Sequence, residues 1–270
     1  MYPFRRILIP TDFSTASQWA FHDAARIAAE NGAEIVVLHI RMTWESQPEA
    51  LRFPADASLY EYAEKQELER IRAQLGAASA NINTRLIVKN APDVGAEICR
   101  TAKQENVDLI VVATHARHHV AHLLIGSTTM SVINDPPAPV LAIRYGIKKR
   151  TGMKRILVPI HLRQKSRAAL ELALEVARSQ GSEVHLLTIC ADEERAAAEA
   201  LLDQIAQQSQ GVELTKRVVR GTDVDREIIR YTAKVDPDVI FLNAEKEIRK
   251  TKTDILRHAS TPMMIVPSAN

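Results

Sequence analysis

Two cysteines in 270 residues, Cys99 and Cys190, are too few for a disulfide framework, and each stands among apolar neighbours. They are expected to be small core residues in a reducing compartment. Aromatic residues make up only 4% of the chain, which leaves little for a surface on which bases stack. No single charge sign dominates: 35 basic residues face 33 acidic ones along the whole chain, for a formal charge of +2. Electrostatic capture of nucleic acid or of an anionic membrane is thereby disfavoured. No stretch approaches the roughly 18 uninterrupted apolar residues of a membrane span, and "MYPFRRILIP" holds no apolar run of signal-peptide length. A cytoplasmic protein, with neither nucleic acid nor membrane as partner, is the expectation. What the chain does have is ordinary for globular proteins: 46% hydrophobic and 25% charged residues, enough for one large or two ordinary domains.

A repeat decides between one domain and two. "RILIP" at 6–10 returns as "RILVP" at 155–159, and Ala20, Ala24, Ala28, Gly32 and Glu34 return as Ala169, Ala173, Ala177, Gly181 and Glu183, an offset of 149. "DVGAEICR" at 93–100 returns as "DVDREIIR" at 223–230, an offset of 130, and Pro139 of "PVLAI" answers Pro262 of "PMMIV", an offset of 123. The chain therefore divides into domains at 1–146 and 153–270, meeting near "YGIKKRTGM". The first fall in offset places 19 extra residues in the first domain, within about 41–62. The second removes seven residues from the second domain, between its last two strands.

Within each repeat, "RRILIP", "AEIVVLHI", "TRLIVK", "VDLIVVAT" and "APVLAIR" are short, β-branched and apolar on both faces, as covered parallel strands are. Amphipathic stretches such as "ASQWAFHDAARIAAENG" and "GAEICRTAKQEN" lie between them, and Gly32 stands where a helix wants a left-handed cap. The fold class is α/β: two tandem, doubly wound, five-stranded parallel sheets of Rossmann-like type. Ligands of such sheets sit beyond the carboxyl ends of the strands, at the reversal of winding. That directs attention to "PTDFS", "HIRMTW" and "ATHARHHVAHLLIGSTT". Asp12 in the first either helps to cap the next helix or accepts from an adenine amine or ribose hydroxyl. "GSTT" at 126–129 either caps ordinarily or offers an anion free N–H groups and hydroxyls at a helix N-terminus.

These segments resemble the universal stress protein family, of the adenine nucleotide alpha-hydrolase-like superfamily, over nearly the whole of both repeats. The resemblance is carried by "RILIPTDFSTAS", "NGAEIVVLHI", "DLIVVATHAR" and "LLIGSTTMSVINDPPAPVLAI". The family's ATP-binding branch has Gly, two residues, Gly, nine residues, Gly-Ser; this chain has Ala113, two residues, Ala116, nine residues, then Gly126 and Ser127. The spacing is kept and two glycines are replaced. The resemblance implies an adenine nucleotide, ATP or AMP, with or without magnesium, and a regulatory role in stress resistance. Pro10, Thr11, Asp12 and the backbone at Ile40 would hold its adenine-ribose end. Ala113, His115, Ala116 and Arg117 would border it, and Gly126, Ser127 and Thr128 would hold its phosphates. If an alanine must adopt a left-handed conformation in the bound loop, the cost is about 1 kcal/mol, or about fivefold in affinity. The second domain has His161 in place of Asp12 and a shortened, glycine-free segment, so a packing role is expected there. Family members pair through their fifth strands, and a tandem chain can make that pairing internally, as a pseudo-dimer.

Two features stand outside this pattern. His115, His118, His119 and His122 have helical i, i+3 and i, i+4 spacings that suit zinc or nickel, but with no acidic or cysteine neighbour they also read as a polar loop. The segment 41–62 carries Trp44, Phe53, Tyr60 and Tyr62, and is either a lid on the first-domain site or a partner-binding loop. No catalytic residue is assigned, because no nucleophile, base and acid can be placed together from sequence; slow hydrolysis of bound ATP is compatible with the resemblance. Against nucleotide binding stands a scaffold that acts through an unidentified protein partner, with further homodimerisation open to either reading.

Overall fold

The computed structural model describes residues 3–42, 62, 64–67, 69–71, 73, 82–114, 125–146, 150–163, 166–245 and 249–268. In the first half β1 (Arg6–Thr11), β2 (Glu34–Met42), β3 (Thr84–Ala91), β4 (Leu109–Ala113) and β5 (Val140–Ile143) form a parallel sheet in the order 3-2-1-4-5. In the second half β6 (Arg155–Pro159), β7 (Glu183–Cys190), β8 (Glu213–Arg220), β9 (Val239–Asn243) and β10 (Met263–Val266) repeat it as 8-7-6-9-10. β5 and β10 then pair antiparallel, Leu141 opposite Met264, and fuse the halves into one ten-stranded sheet. This is the internal pairing of fifth strands expected from the sequence.

The connections are helical: α1 (Thr15–Asn31), α2 (Val94–Gln104) and α3 (Ser127–Asn134) in the first half, and α4 (Ala168–Gln180), α5 (Arg195–Gln208), α6 (Val224–Val235) and α7 (Arg249–His258) in the second. Residues 64–67 and 69–71 are helical as well. Small residues on α1 and α4 let these helices lie close to the strands, and Gly32 (φ 65°) and Gly181 (φ 61°) end them in the left-handed region that glycine adopts without steric cost. Alternate strand residues feed two cores. Ile7, Ile9, Ile35 and Val37 face α1, while Leu8, Val36 and Leu38 face α2 and α3, each aliphatic side chain worth roughly 1.5–3 kcal/mol when fully buried. Both cores run on into the second half.

Polar contacts repeat with the sequence. Asp108 accepts from the Arg6 amide at 3.0 Å, and its counterpart Asp238 from the Arg155 amide at 2.9 Å. Across the seam, each half donates to the end of the other's last helix. Lys252, 1% exposed, reaches the Ile133 carbonyl of α3 at 3.5 Å, and Arg144 reaches the Arg257 carbonyl in the last turn of α7 at 3.1 Å and the Ala259 carbonyl just beyond it at 3.4 Å. Cations suit helix C-termini because the last carbonyls are unpaired there.

The connection from β2 to β3 spans 43–83, against 191–212 from β7 to β8, so the extra length falls where the repeat placed it. Trp44, Phe53 and Tyr60 lie outside the described residues; Tyr62 is exposed. Cys190 is buried as expected, whereas Cys99 is only partly covered where α2 packs against the core. Burial pushes both thiols above their usual value.

Candidate functional site

The winding of the first half reverses between β1 and β4, and a cleft of about 730 Å³ opens there, at the carboxyl ends of the strands. One wall is the β1–α1 turn. Thr11 ends the strand, Phe13 takes a left-handed φ of 61°, and the chain enters α1 at Thr15. Side chains hold the turn: Thr11 Oγ1 accepts from the Phe13 amide at 3.1 Å, Asp12 Oδ1 from the Ser14 amide at 3.1 Å, and Ser14 Oγ from the Ser17 amide at 3.2 Å. Both sequence readings of Asp12 are thus compatible with its position. It braces the turn with one oxygen, it is exposed, and a carboxylate has further acceptor capacity.

The end of β2 supplies the second wall. Its Ile40 lines the cleft beside Leu38 and Met42. His39 also borders the cleft; its Nδ1 lies 2.9 Å from the Thr11 carbonyl and its ring lies against Phe13, centroids 4.2 Å apart. A carbonyl only accepts, so Nδ1 carries the proton. His39 therefore ties β2 to the strained turn of β1. His39 stands next to last in the apolar run "EIVVLHI", a place from which the sequence alone assigns it no partner.

The floor is apolar, formed by Leu38, Ile98, Val112 and Val132. α3 closes the far side. Its N-cap is Gly126, which provides no side-chain acceptor, and its first turn contains no acidic residue, so the amides of Ser127 and Thr128 open the helix at its positive end. Thr129 Oγ1 donates to the Ala113 carbonyl at 3.1 Å and fixes the start of α3 to the end of β4. Gly126 has φ −62°, so no left-handed conformation demands glycine there. Its value is the absence of a Cβ near whatever binds. Ala113 is the last residue of the extended strand β4, in register with Ile143.

Pro10, Thr11, Asp12, Ile40 and Ala113 thus share one cleft with Gly126, Ser127 and Thr128. His115, Ala116, Arg117, His118, His119 and His122 lie outside the described residues, and the metal reading with them. Among the described residues no group of histidine, cysteine or acidic side chains is arranged to hold a metal ion, and no helix is long and apolar enough to cross a membrane.

The second half has Ile160 for Thr11, His161 for Asp12 and Asn243 for Ala113. His161 Nδ1 accepts from the Arg163 amide at 3.1 Å, as Asp12 does from Ser14, so the turn is kept while the carboxylate is lost. Only 244–248 separate β9 from α7, against 114–126 between β4 and α3, and the cavity lined by Ile160, His161 and Leu162 has about 50 Å³.

A family model described as the universal stress protein family matches residues 3–144 and again 152–267. A universal stress protein of Methanocaldococcus jannaschii is 25% identical over 158 residues, 52% of this chain and 95% of that protein. One from Thermus aquaticus is 30% identical over 145 residues, 52% of this chain and 99% of that protein. Over the full length, the crystal structure of a universal stress protein from Archaeoglobus fulgidus superimposes with a TM-score of 0.77 at 21% identity, covering 98% of this chain and 97% of that one, a likeness of fold. Two successive matches span both repeats, and the chain belongs to the universal stress protein family, with two of its domains in tandem.

Proposed function

We propose that the first domain, residues 1–146, binds an adenine nucleotide in this cleft and that occupancy serves as a regulatory signal in a stress response. The observation that carries the reading is the cleft itself. Its 730 Å³ lies in the range of small-molecule sites, with an apolar floor for a base, a carboxylate beside it for the ribose and a helix N-terminus for phosphate. Asp12 and the Ile40 backbone take the nucleoside end, and the amides and hydroxyls of Ser127 and Thr128 take the phosphates, with magnesium as an optional companion. The assigned residues bind and orient; slow hydrolysis of ATP would be incidental.

The second domain, residues 153–270, contributes packing. Its small cavity and the β5–β10 seam also favour a second reading, a tandem scaffold that acts on a protein partner or on a further copy of itself. One experiment separates the two. Freshly purified protein is denatured and the supernatant read by mass spectrometry for released nucleotide, and refolded or apo protein is titrated with ATP with and without magnesium. Co-purified or titratable nucleotide supports the first reading. A folded wild type that binds none, together with a folded Ala113→Gly, Ala116→Gly variant that also binds none, transfers the function to the scaffold.

A further inference from the structure

The structure assigns to the last residue of the fourth strand, Ala113 in the first domain and Asn243 in the second, the decision whether a domain's cleft admits a ligand. Asn243 is a built-in plug. This rests on the nucleotide reading for the first domain, and concerns a different residue and mechanism from the shortened segment 244–248.

The two positions are equivalent by chain and by structure. Each is the fifth and last residue of its strand, β4 or β9; Ala113 stands in register with Ile143 of β5, and Asn243 with Val266 of β10. Their surroundings then diverge. Asn243 is 1% exposed, Oδ1 accepts from the Ala169 amide at 2.8 Å, and Nδ2 donates to the Ser166 carbonyl at 2.8 Å. Glu245 Oε1 adds an acceptor for the Ser166 amide at 3.0 Å.

The helix that follows the first strand explains why an amide is wanted. α1 starts at Thr15, capped by Ser14; the repeat counterpart of Thr15 is position 164, yet α4 starts four residues later, at Ala168, with Arg167 at the N-cap providing no side-chain acceptor. Among unpaired groups at such a start are the Ala169 N–H and the Ser166 carbonyl, one donor and one acceptor. Asparagine is the side chain that answers both at once. In the first domain Ser14 and an intact first turn meet that need, and Ala113 presents only a methyl group. The room between Ala113 and Ser17, the counterpart of Ser166, remains part of the cleft.

A ligand entering the second domain would have to withdraw a buried amide from two backbone partners and leave them unpaired. Restoring the seven missing residues at 244–248 would therefore not by itself make a site.

The test is made on the full chain by amide hydrogen exchange and ATP titration. In Asn243→Ala, exchange at Ala169 should accelerate by about tenfold or more, as expected for one lost buried hydrogen bond. Val176 in mid-helix should keep its rate. An unchanged Ala169 rate in Asn243→Ala, or equal acceleration at Val176, overturns the plug. In the first domain Ala113→Asn should weaken ATP binding by about tenfold or more, because a carboxamide buried in a ligand cleft costs space and solvation. Ala113→Gly should bind at least as well as wild type. Unweakened binding by folded Ala113→Asn overturns the inference while leaving the nucleotide reading intact. A wild type that binds no ATP overturns that reading instead, and the Ala169 exchange rates still decide the plug.

Discussion

The helix pair α2 and α3 and its repeat α6 and α7 sit against equivalent strands but are held apart by different means. In the first half Gly95 passes so close to Ser131 that an added Cβ would lie 2.5 Å from the Ser131 Cβ. In the second half the same positions are Asp225 and Asp254, and Lys250 lies 3.8 Å from each. One pair is close-packed; the other is spaced by charge. The difference accompanies the clefts. α2 and α3 together frame an open site, with Val94 and Ile98 on one helix and Thr128 and Val132 on the other; the small cavity of the second half lies instead against α4 and α5, lined by Leu170, Leu201 and Ile205. One fold occurs twice, and packing at a few positions differs between the copies.

Exchanging the helix spacing should have the largest effect. Gly95→Asp introduces side-chain atoms where a backbone passes Ser131, and should destabilise the first half by about 3 kcal/mol or more, since overpacking and a buried charge both cost. Asp225→Gly, the reverse change, should cost only about 1 kcal/mol, chiefly helix propensity. Urea unfolding monitored through Trp19, a described reporter in the first half, would read the difference; equal losses would dissolve the contrast between the helix pairs.

A smaller effect concerns the carboxylate that braces α2. Glu97, 6% exposed, is joined by Arg100 at 2.7 Å and Lys89 at 3.1 Å, while its repeat counterpart Glu227 pairs with Arg230 at 2.9 Å. Burial pushes the Glu97 carboxyl up, but hydrogen bonds from Arg100, Lys89 and Thr101 prevail and hold it below the usual 4.5. The group is thus more acidic folded than unfolded. Its contribution is complete above the unfolded value and is lost as pH falls through the depressed one. Glu97→Gln should cost about 1–3 kcal/mol at pH 7 and less at pH 3. A stability difference from wild type that is the same at both pH values would contradict this assignment.

Smaller again is the substitution at the turn. Asp12→Ala should lower nucleotide affinity by about tenfold, the worth of a hydrogen bond to a charged group, and His161→Ala should leave it unchanged. Isothermal titration of both variants checks the pair. A loss on changing His161 would place ligand in the wrong half.

Much of this was legible in the sequence, and the rest was hidden for physical reasons. Offsets between repeats located the extra length after β2 and the shortened segment after β9, because insertions move the register of everything downstream. Strand runs apolar on both faces announced a covered parallel sheet. Asp12 and Gly126 came from the strand ends and the helix start, Ile40 from the resemblance, and the three converge on one cleft because the topology brings strand ends together. Four residues were not readable. Phe13 adopts a conformation that its side chain does not favour, so no propensity marks it. His39 acts through a carbonyl on the neighbouring strand, and Asn243 through backbone groups 74 and 77 residues away, which only the fold identifies. Lys252 reads as part of an exposed, charged helix but is buried because the seam falls on it.

The division of labour between the halves rests on a count: nucleotide bound per chain. Titration of apo protein with ATP and AMP, followed by native mass spectrometry, should give one nucleotide per chain, and Gly126→Trp, which fills the phosphate end of the first cleft, should give none while the fold persists. Two nucleotides per chain, or one that survives Gly126→Trp, would contradict the assignment of the first domain as the sole ligand site.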